Sequence, residues 1–478
     1  MSVPRIQPAT VATARATPSH SAATRTLLEG PVALTLLRLA APNVLVMALQ
    51  AAVSTLDGVF VGWLGAPALA GVSLVFPLLM LMQTMSAGGM GGGVASAVAR
   101  ALGARRREDA DALVLHALVI AVVMAALFTG GALWAGPALY RALGGTGTAL
   151  ASALVYSNVI FGGAIAYWMF NTLSSVVRGA GNMMLPAATM TVGAVLYVGL
   201  SPALIMGWGP FPRLGLEGAA VASVTPFATG SLVLAVYLAS GRSPVTMSLH
   251  GRGLRPALFW EILRVGAPGS LNTVMTNLTI MIVTALVGPF GSVALAGYGM
   301  GARLEYLQIP LVFGLGSALV TMVGTNVGAG QLARAERVAW VGAGLAAAVT
   351  GSLGLLAALF PVAWMGLFSA DPQVLAVGAT YLRIVGPAYG FFGVGLALYF
   401  ASQGAGRLAW PLIAGITRLV LAGAGGWLAV HWLGHGLPGI FAAMALALVA
   451  FGATVSLAVR LGAWRGVAPP ALRRGREV

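Results

Sequence analysis

The residue best suited to chemistry in this chain is Asp57, a carboxylate set inside the apolar stretch that begins near Leu34. An ionised acid at the centre of a membrane helix costs on the order of 3 kcal/mol by insertion scales, so one that persists is a functional candidate by default. Apolar surroundings disfavour the charged form, which suits the group to loading and releasing a proton. Each protonation changes the charge on its helix and so supplies the differential energy a conformational switch needs. The alternative role is a static carboxylate bonded to a helix end or to a nearby hydroxyl such as Ser54 or Thr55. Arg303 and Glu305 also lie within an apolar run. Two positions apart, they do not share a helical face, so each needs a partner on another helix, and Arg418 is a suitable mate. Glu305 is the second candidate for cation coupling, with a structural ion pair as its alternative.

Other chemistry finds little support. Gly88-Gly89-Met90-Gly91-Gly92-Gly93 has the composition of a phosphate loop but neither its lysine-serine ending nor a preceding strand. Close helix packing through small residues accounts for it better. His431 and His435 have metal-ligand spacing but no accompanying acid, and read as an interfacial loop pair. Without cysteine there is no disulfide, thiolate metal site or thiol nucleophile. Nucleophile elbows, zincin motifs and potassium-filter sequences are missing too. The chain is expected to be neither enzyme nor channel, to hold no metal, and to need no cofactor beyond a coupling ion, H+ or alternatively Na+.

The elements that must position Asp57 are membrane helices. Of the 478 residues 59% are hydrophobic and only 8% charged, whereas soluble domains carry about a quarter charged residues. A bilayer crossing needs roughly 20 apolar residues, and twelve such runs begin near Leu34, Ala68, Ala112, Ser152, Leu185, Gly218, Phe259, Val293, Ala339, Thr380, Pro411 and Gly439. All basic residues are arginine, and the net charge of +15 could suggest nucleic acid. The arginines fall in loops between apolar runs, so membrane lipid headgroups are the expected counter-charge and no nucleic acid is expected. Arg105, Arg106, Arg107, Arg242, Arg255, Arg334, Arg407 and Arg465 share one side with both termini, against little beyond Arg141 and Arg213 opposite. The positive-inside rule therefore puts both termini in the cytoplasm of a cell with the protein in its inner (plasma) membrane. Residues 1–33 read as a disordered cytoplasmic tail; an organellar transit peptide shares that composition and keeps an organellar membrane open.

The chain also repeats itself. Leu37-Arg38-Leu39-Ala40-Ala41-Pro42 returns as Leu263-Arg264-Val265-Gly266-Ala267-Pro268, and Ala68-Leu69-Ala70-Gly71 as Ala294-Leu295-Ala296-Gly297, both 226 residues on. Gly179-Ala180-Gly181 returns as Gly404-Ala405-Gly406 at 225. Six crossings separate equivalent positions, so the halves share one membrane orientation and are related by a pseudo-twofold axis along the bilayer normal. The organisation expected is an N-lobe over residues 34–240, a cytoplasmic linker over 241–257, a C-lobe over 258–461 and a basic tail over 462–478. Between two such bundles lies a central cavity. Its lining should be large, soft and apolar, able to hold varied cations by cation–π and polarizable contacts. Met47, Phe76, Met80, Tyr167 and Trp168 are candidates, with Gln83 on the helical face of Phe76 and Met80; packing against lipid or neighbouring helices is the alternative for each.

Taken together, Pro42 followed by Asp57, Val61-Gly62-Trp63-Leu64-Gly65, Ala68-Leu69-Ala70-Gly71, Gly103-Ala104-Arg105, Arg178-Gly179-Ala180-Gly181 and Asn326-Val327-Gly328-Ala329-Gly330 resemble the multidrug and toxic compound extrusion (MATE) family of the MOP superfamily. The match covers about Leu34 to Leu461 and is more similar to the DinF-like branch than to sodium-coupled relatives, whose acids in the seventh and tenth helices have no counterpart in Pro268–Gly288 or Thr380–Gln403. The resemblance implies an all-α fold of twelve transmembrane helices in two six-helix bundles. It also implies a monomeric antiporter that exports small drug-like cationic or amphipathic compounds by alternating access, coupled to protons. A lipid-precursor flippase of the same superfamily and a sodium-coupled exporter are the alternatives. Within the first helix it implies a hinge at Pro42, against a static kink, and a place for Gln50 in the hydrogen-bond network of Asp57. Asn171 matches an asparagine of the family's polar pocket. Where relatives carry an asparagine and a second aspartate in the fifth helix, this chain has Tyr197 and Ser201, so a proton would be held by Asp57 with neutral partners.

Overall fold

The computed structural model describes residues 20–247 and 253–465; the first 19 residues of the expected tail, the centre of the expected linker and the basic tail beyond Arg465 lie outside them. Among the described residues all regular structure is helical. A short α1 (Ala22–Glu29) precedes α2 (Val32–Gly62), α3 (Ala66–Thr84), α4 (Gly91–Gly103), α5 (Arg107–Ala142), α6 (Gly147–Gly162), α7 (Ala164–Gly179), α8 (Met184–Met206) and α9 (Leu216–Ala239). The second half continues with α10 (Pro256–Val287), α11 (Ser292–Gly328), α12 (Leu332–Leu359), α13 (Pro361–Met365), α14 (Pro372–Val385), α15 (Tyr389–Ala405), α16 (Ala409–Val420), α17 (Gly426–His431) and α18 (Gly436–Arg460). A π-helical turn over Met85–Met90 joins α3 to α4, and another over Leu421–Gly425 joins α16 to α17. Among the described residues eleven spans are long and apolar enough to cross a bilayer, and the bent pair α6–α7, broken by 44°, makes a twelfth when taken as one span.

The repeat is visible in backbone angles. Gly65 and Gly291, 226 apart, precede α3 and α11 with φ of 94° and 95°. The break at Gly163 between α6 and α7 has its counterpart in the 3-10 turn Gly386–Ala388 between α14 and α15. Arg105, the only non-glycine with positive φ among the described residues, occupies the place of Gly330 in the second copy. Each half builds its own core: one around Tyr156, Phe161, Trp168 and Phe170, the other around Tyr298, Tyr381, Phe392 and Phe441. The first halves of α2 and α10 cross over. Leu36 and Ala40 join the second core, while Leu258 and Ile262 join the first.

These crossings form a seam between the lobes, and among the described residues the side-chain bonds across it lie toward one end. Asn43 Nδ2 donates to Ser317 Oγ (2.6 Å) beside Pro42. Ser96 Oγ donates to the Gln403 and Gly404 carbonyls (2.5 and 3.0 Å). Arg100 pairs with Glu261 (3.4 Å), and Thr321 Oγ1 donates to the Arg178 carbonyl (3.0 Å). Glycine allows the close approach: a Cβ on Gly103 would overlap the Thr325 carbonyl, and one on Gly328 the Arg100 carbonyl. All these residues belong to the arginine-rich ends of their helices. The glycine run at 88–93 packs in the same way, Gly89 against Ser270 and Gly93 against Gly266, the close helix contact expected of small residues.

Residues 20–33 are not a disordered tail. Ser21 caps α1 through Thr24 N (3.2 Å), and Leu27 and Leu28 are buried. The helix bridges both lobes: Leu27 lies on Gly181, its carbonyl accepts from Asn326 Nδ2 (3.1 Å), and Arg334 donates to Gly30 O. Arg105 Nε donates to His20 Nε2 (3.2 Å). Burial, then the neighbouring Arg105 and Arg25, hold His20 below the usual imidazole range, leaving it neutral and able to accept. The tail's mixed composition concealed a two-leucine apolar face with few residues to announce it.

Candidate functional site

Asp57 sits half-buried in the outer part of α2, near residues from four other helices of the first lobe. Tyr197 on α8 donates its hydroxyl to Asp57 Oδ1, and Ser201, one turn further on, donates to the Tyr197 hydroxyl at 3.5 Å. Both are almost fully buried, at 4% and 0% exposure. Tyr156 on α6 and Tyr167 on α7 lie within electrostatic reach of the carboxylate, and both turn their hydroxyls to Ser223 on α9, Tyr167 to its carbonyl at 3.3 Å. Among the described residues the acid's neighbours are therefore one bonded phenol, two phenols further off and a hydroxyl behind the first, with no second carboxylate. Ser54 and Thr55 do not bond it: Thr55 bonds back to Ala51 O (3.1 Å). Such a carboxyl can hold or give up one proton, and Tyr197 fixes its orientation.

Several residues grouped with Asp57 on sequence stand elsewhere. Asn171 donates to Ser86 Oγ (2.9 Å) in the π-helical turn, so it braces that turn and is not in the Asp57 network. Gln50 is half-buried two turns away and makes no hydrogen bond to Asp57. Tyr167 and Trp168 are corrected as cavity-lining residues. At 1% and 0% exposure they pack inside the first lobe, Tyr167 against Phe227 and Trp168 against Phe128. A bend at Gly163 turns α7 inward and with it both rings. Phe76 is open, at 47% exposure, while Met47, Met80 and Gln83 are half-buried. Pro42 lies inside α2 without ending it. Sequence reasoning missed Tyr156 and Ser223, whose only signal was a polar group inside an apolar run.

The second lobe answers the first in an unforeseen way. Val283, the repeat counterpart of Asp57, lines a small cavity together with Thr279, Tyr298, Glu305 and Arg418. Glu305 reaches from α11 into the place where the first lobe has Asp57 from α2. Arg418 Nη2 meets Glu305 Oε1 at 3.0 Å, both side chains are at most 10% exposed, and the guanidinium lies over Phe392 (5.3 Å). Arg303, by contrast, is exposed over Phe368 at 5.2 Å. Leaving one buried charge unpaired costs about 3–5 kcal/mol. Glu305→Gln and Arg418→Met are each expected to lower the thermal midpoint of purified protein clearly, and the Glu305→Leu/Arg418→Met double variant to regain most of the loss. Additive losses would mean that the two charges do not act as a pair.

Among the described residues no three metal-ligating side chains converge. His431 stacks on Trp427 and bonds its carbonyl (3.0 Å).

Known proteins give this architecture a context. The model of the MatE family matches residues 42–203 and again 268–428, at the offset of the internal repeat. A protein named FAD transporter from Shewanella oneidensis is 28% identical over 83% of this chain and 87% of its own length. A probable multidrug resistance protein from Bacillus subtilis is 28% identical over 74% and 77%. Among solved structures, a MOP superfamily transporter from Pyrococcus furiosus superposes with a TM-score of 0.85 at 26% identity, covering 93% of this chain and 98% of its own. An outward-facing multidrug resistance MATE transporter gives 0.84 at 25% identity, over 94% and 99%. With the match falling on both lobes in register with the repeat, the chain belongs to the MatE family and is a multi-pass membrane transporter rather than an enzyme.

Proposed function

We propose that this protein is a secondary active exporter of small amphipathic compounds, cations among them, coupled to inward proton flow at Asp57. The observation that carries this reading is the one-ended seam. Two lobes fastened, among the described residues, toward the arginine-rich end, by contacts such as Ser96 to Gly404 and Gly103 against Thr325, can exchange that closure for one at the other end. With the arginine-rich end and both termini in the cytoplasm, the conformation described faces outward from a plasma membrane. Asp57 sits in the lobe wall above the seam, where a proton from outside can reach it, and its neighbouring phenols support a DinF-like, proton-coupled branch in place of a sodium site. Relatives named as multidrug resistance proteins support a drug-like substrate range. Met47, Phe76, Met80 and Gln83 are the side chains placed to meet such compounds.

Dye export from vesicles carrying the protein should follow an imposed pH gradient and collapse when a protonophore dissipates it. Export that persists on a sodium gradient alone would overturn proton coupling while leaving the exporter in place.

A further inference from the structure

The internal repeat sets α1 apart. At the offset of 226 its residues fall on 248–255 of the linker, and the described flanks of that segment rest on one helix of one lobe, α5. Thr246 N donates to Asp111 Oδ1 (2.7 Å), and Arg255 N to His116 Nε2 (2.8 Å). α1 instead holds two lobes. From the second, Asn326 and Arg334 donate to the Leu27 and Gly30 carbonyls, and the Leu27 side chain belongs to the second core. From the first, Gly181 lies against Leu27 and Ala23, and Arg105 donates to His20. All four partner residues lie at the arginine-rich end, so α1 crosses the same closure as the Ser96 bond to Gly404 and the approach of Gly103 to Thr325.

Arg105 is costly to keep at this corner. Its φ of 58° is a left-handed backbone that a side chain disfavours, whereas Gly330, which fills its place in the second copy, adopts 76° freely. A glycine would suit the turn but could not reach His20. Strain of this kind persists where the surrounding structure gives the side chain a task, and the hydrogen bond of Arg105 to His20 joins the start of the α1 segment to the first lobe. The two halves of the seat therefore differ in make: amide and guanidinium donors to backbone carbonyls on the second lobe, a leucine on a glycine and one side-chain bond on the first.

Lobes that separate at this end cannot both keep α1. Granted that they exchange one closure for the other, as proposed for export, we propose that α1 is a strap that favours the closed inner end, and with it the outward-facing conformation, and that it lifts from one lobe each time the inner end opens. A strap of this kind sets how often the cleft faces the cytoplasm without touching substrate or proton.

Pulsed dipolar spin resonance on the whole chain in nanodiscs tests this, with labels at Arg107→Cys and Gln331→Cys, one on each lobe beside the closure. Leu27→Asp places a charge in a buried seat and should unseat α1, raising the ratio of long to short separations about tenfold, within the usual range of coupling between sites. His20→Ala removes only the acceptor of Arg105 and should raise that ratio about two- to tenfold, the worth of one hydrogen bond; it decides alone if Leu27→Asp does not fold. An unchanged distribution in the deciding variant overturns the strap. Gly103→Val, which overpacks the closure itself, tells the strap from the closure. Labels that move in Gly103→Val but not in Leu27→Asp remove the strap and keep the exchange of closures, whereas labels still in both remove both.

Discussion

Asp57→Asn should abolish the response of dye export to a pH gradient while leaving insertion and folding intact. Asparagine keeps the size and a hydrogen-bonding oxygen for Tyr197 but cannot change charge. Coupling between two sites is typically worth 1–3 kcal/mol, so its loss should lower gradient-driven export by about 5- to 150-fold. Tyr197→Phe supplies the contrast. It removes the donor to Asp57 Oδ1 but keeps the acid, so export should slow yet still follow the gradient. Proteoliposomes with an imposed pH step measure both. Undiminished gradient-driven export by Asp57→Asn would move coupling to Glu305 and Arg418, the pair that occupies the equivalent place in the other lobe.

Gly103→Val is expected to have the second large effect, this time on conformation. The side chain would overlap the Thr325 carbonyl at the heart of the seam. Overpacking costs about 1–3 kcal/mol, enough to move a two-state balance by about 5- to 150-fold away from the closed seam. The native chain has no cysteine, so spin labels at Arg107→Cys and Gln331→Cys, one on each lobe, report only the introduced sites. Their separation should lengthen and broaden in Gly103→Val, and export should fall. Gly344→Val, where nothing lies within 4 Å of the new Cβ, should change neither. An unaltered distance in Gly103→Val would mean that the seam is not the element that moves.

Much of the fold was legible because bilayers impose one strong rule. Twelve apolar runs and a repeat whose offset stays within one residue, at 226 and then 225, defined the spans and the two lobes, since a larger slip would strand polar backbone in lipid. Pairings across the seam were not legible. Ser96 with Gly404, or Asn43 with Ser317, join residues several hundred positions apart, and hydropathy has no access to such contacts. Tyr167 and Trp168 look like cavity residues on composition, and only the bend at Gly163 turns them inward. Glu305 illustrates the limit of symmetry as a guide. The repeat names Val283 as the counterpart of Asp57, correctly in space, yet the charge arrives there from a neighbouring helix. The tail helix escaped notice because eight residues with two buried leucines produce almost no periodic signal.

That tail helix has a consequence for how the protein is made. Leu27 and Gly30 leave the ribosome about 300 residues ahead of Asn326 and Arg334, which hold their carbonyls. At roughly 5–20 residues per second that interval is about 15–60 s. During it α1 has only the first-lobe part of its seat, around Gly181 and Arg105. Complete docking must come after the second lobe is in the membrane, so a segment made ahead of both lobes is among the last to find its place, and a fully seated α1 marks a chain whose halves have both arrived.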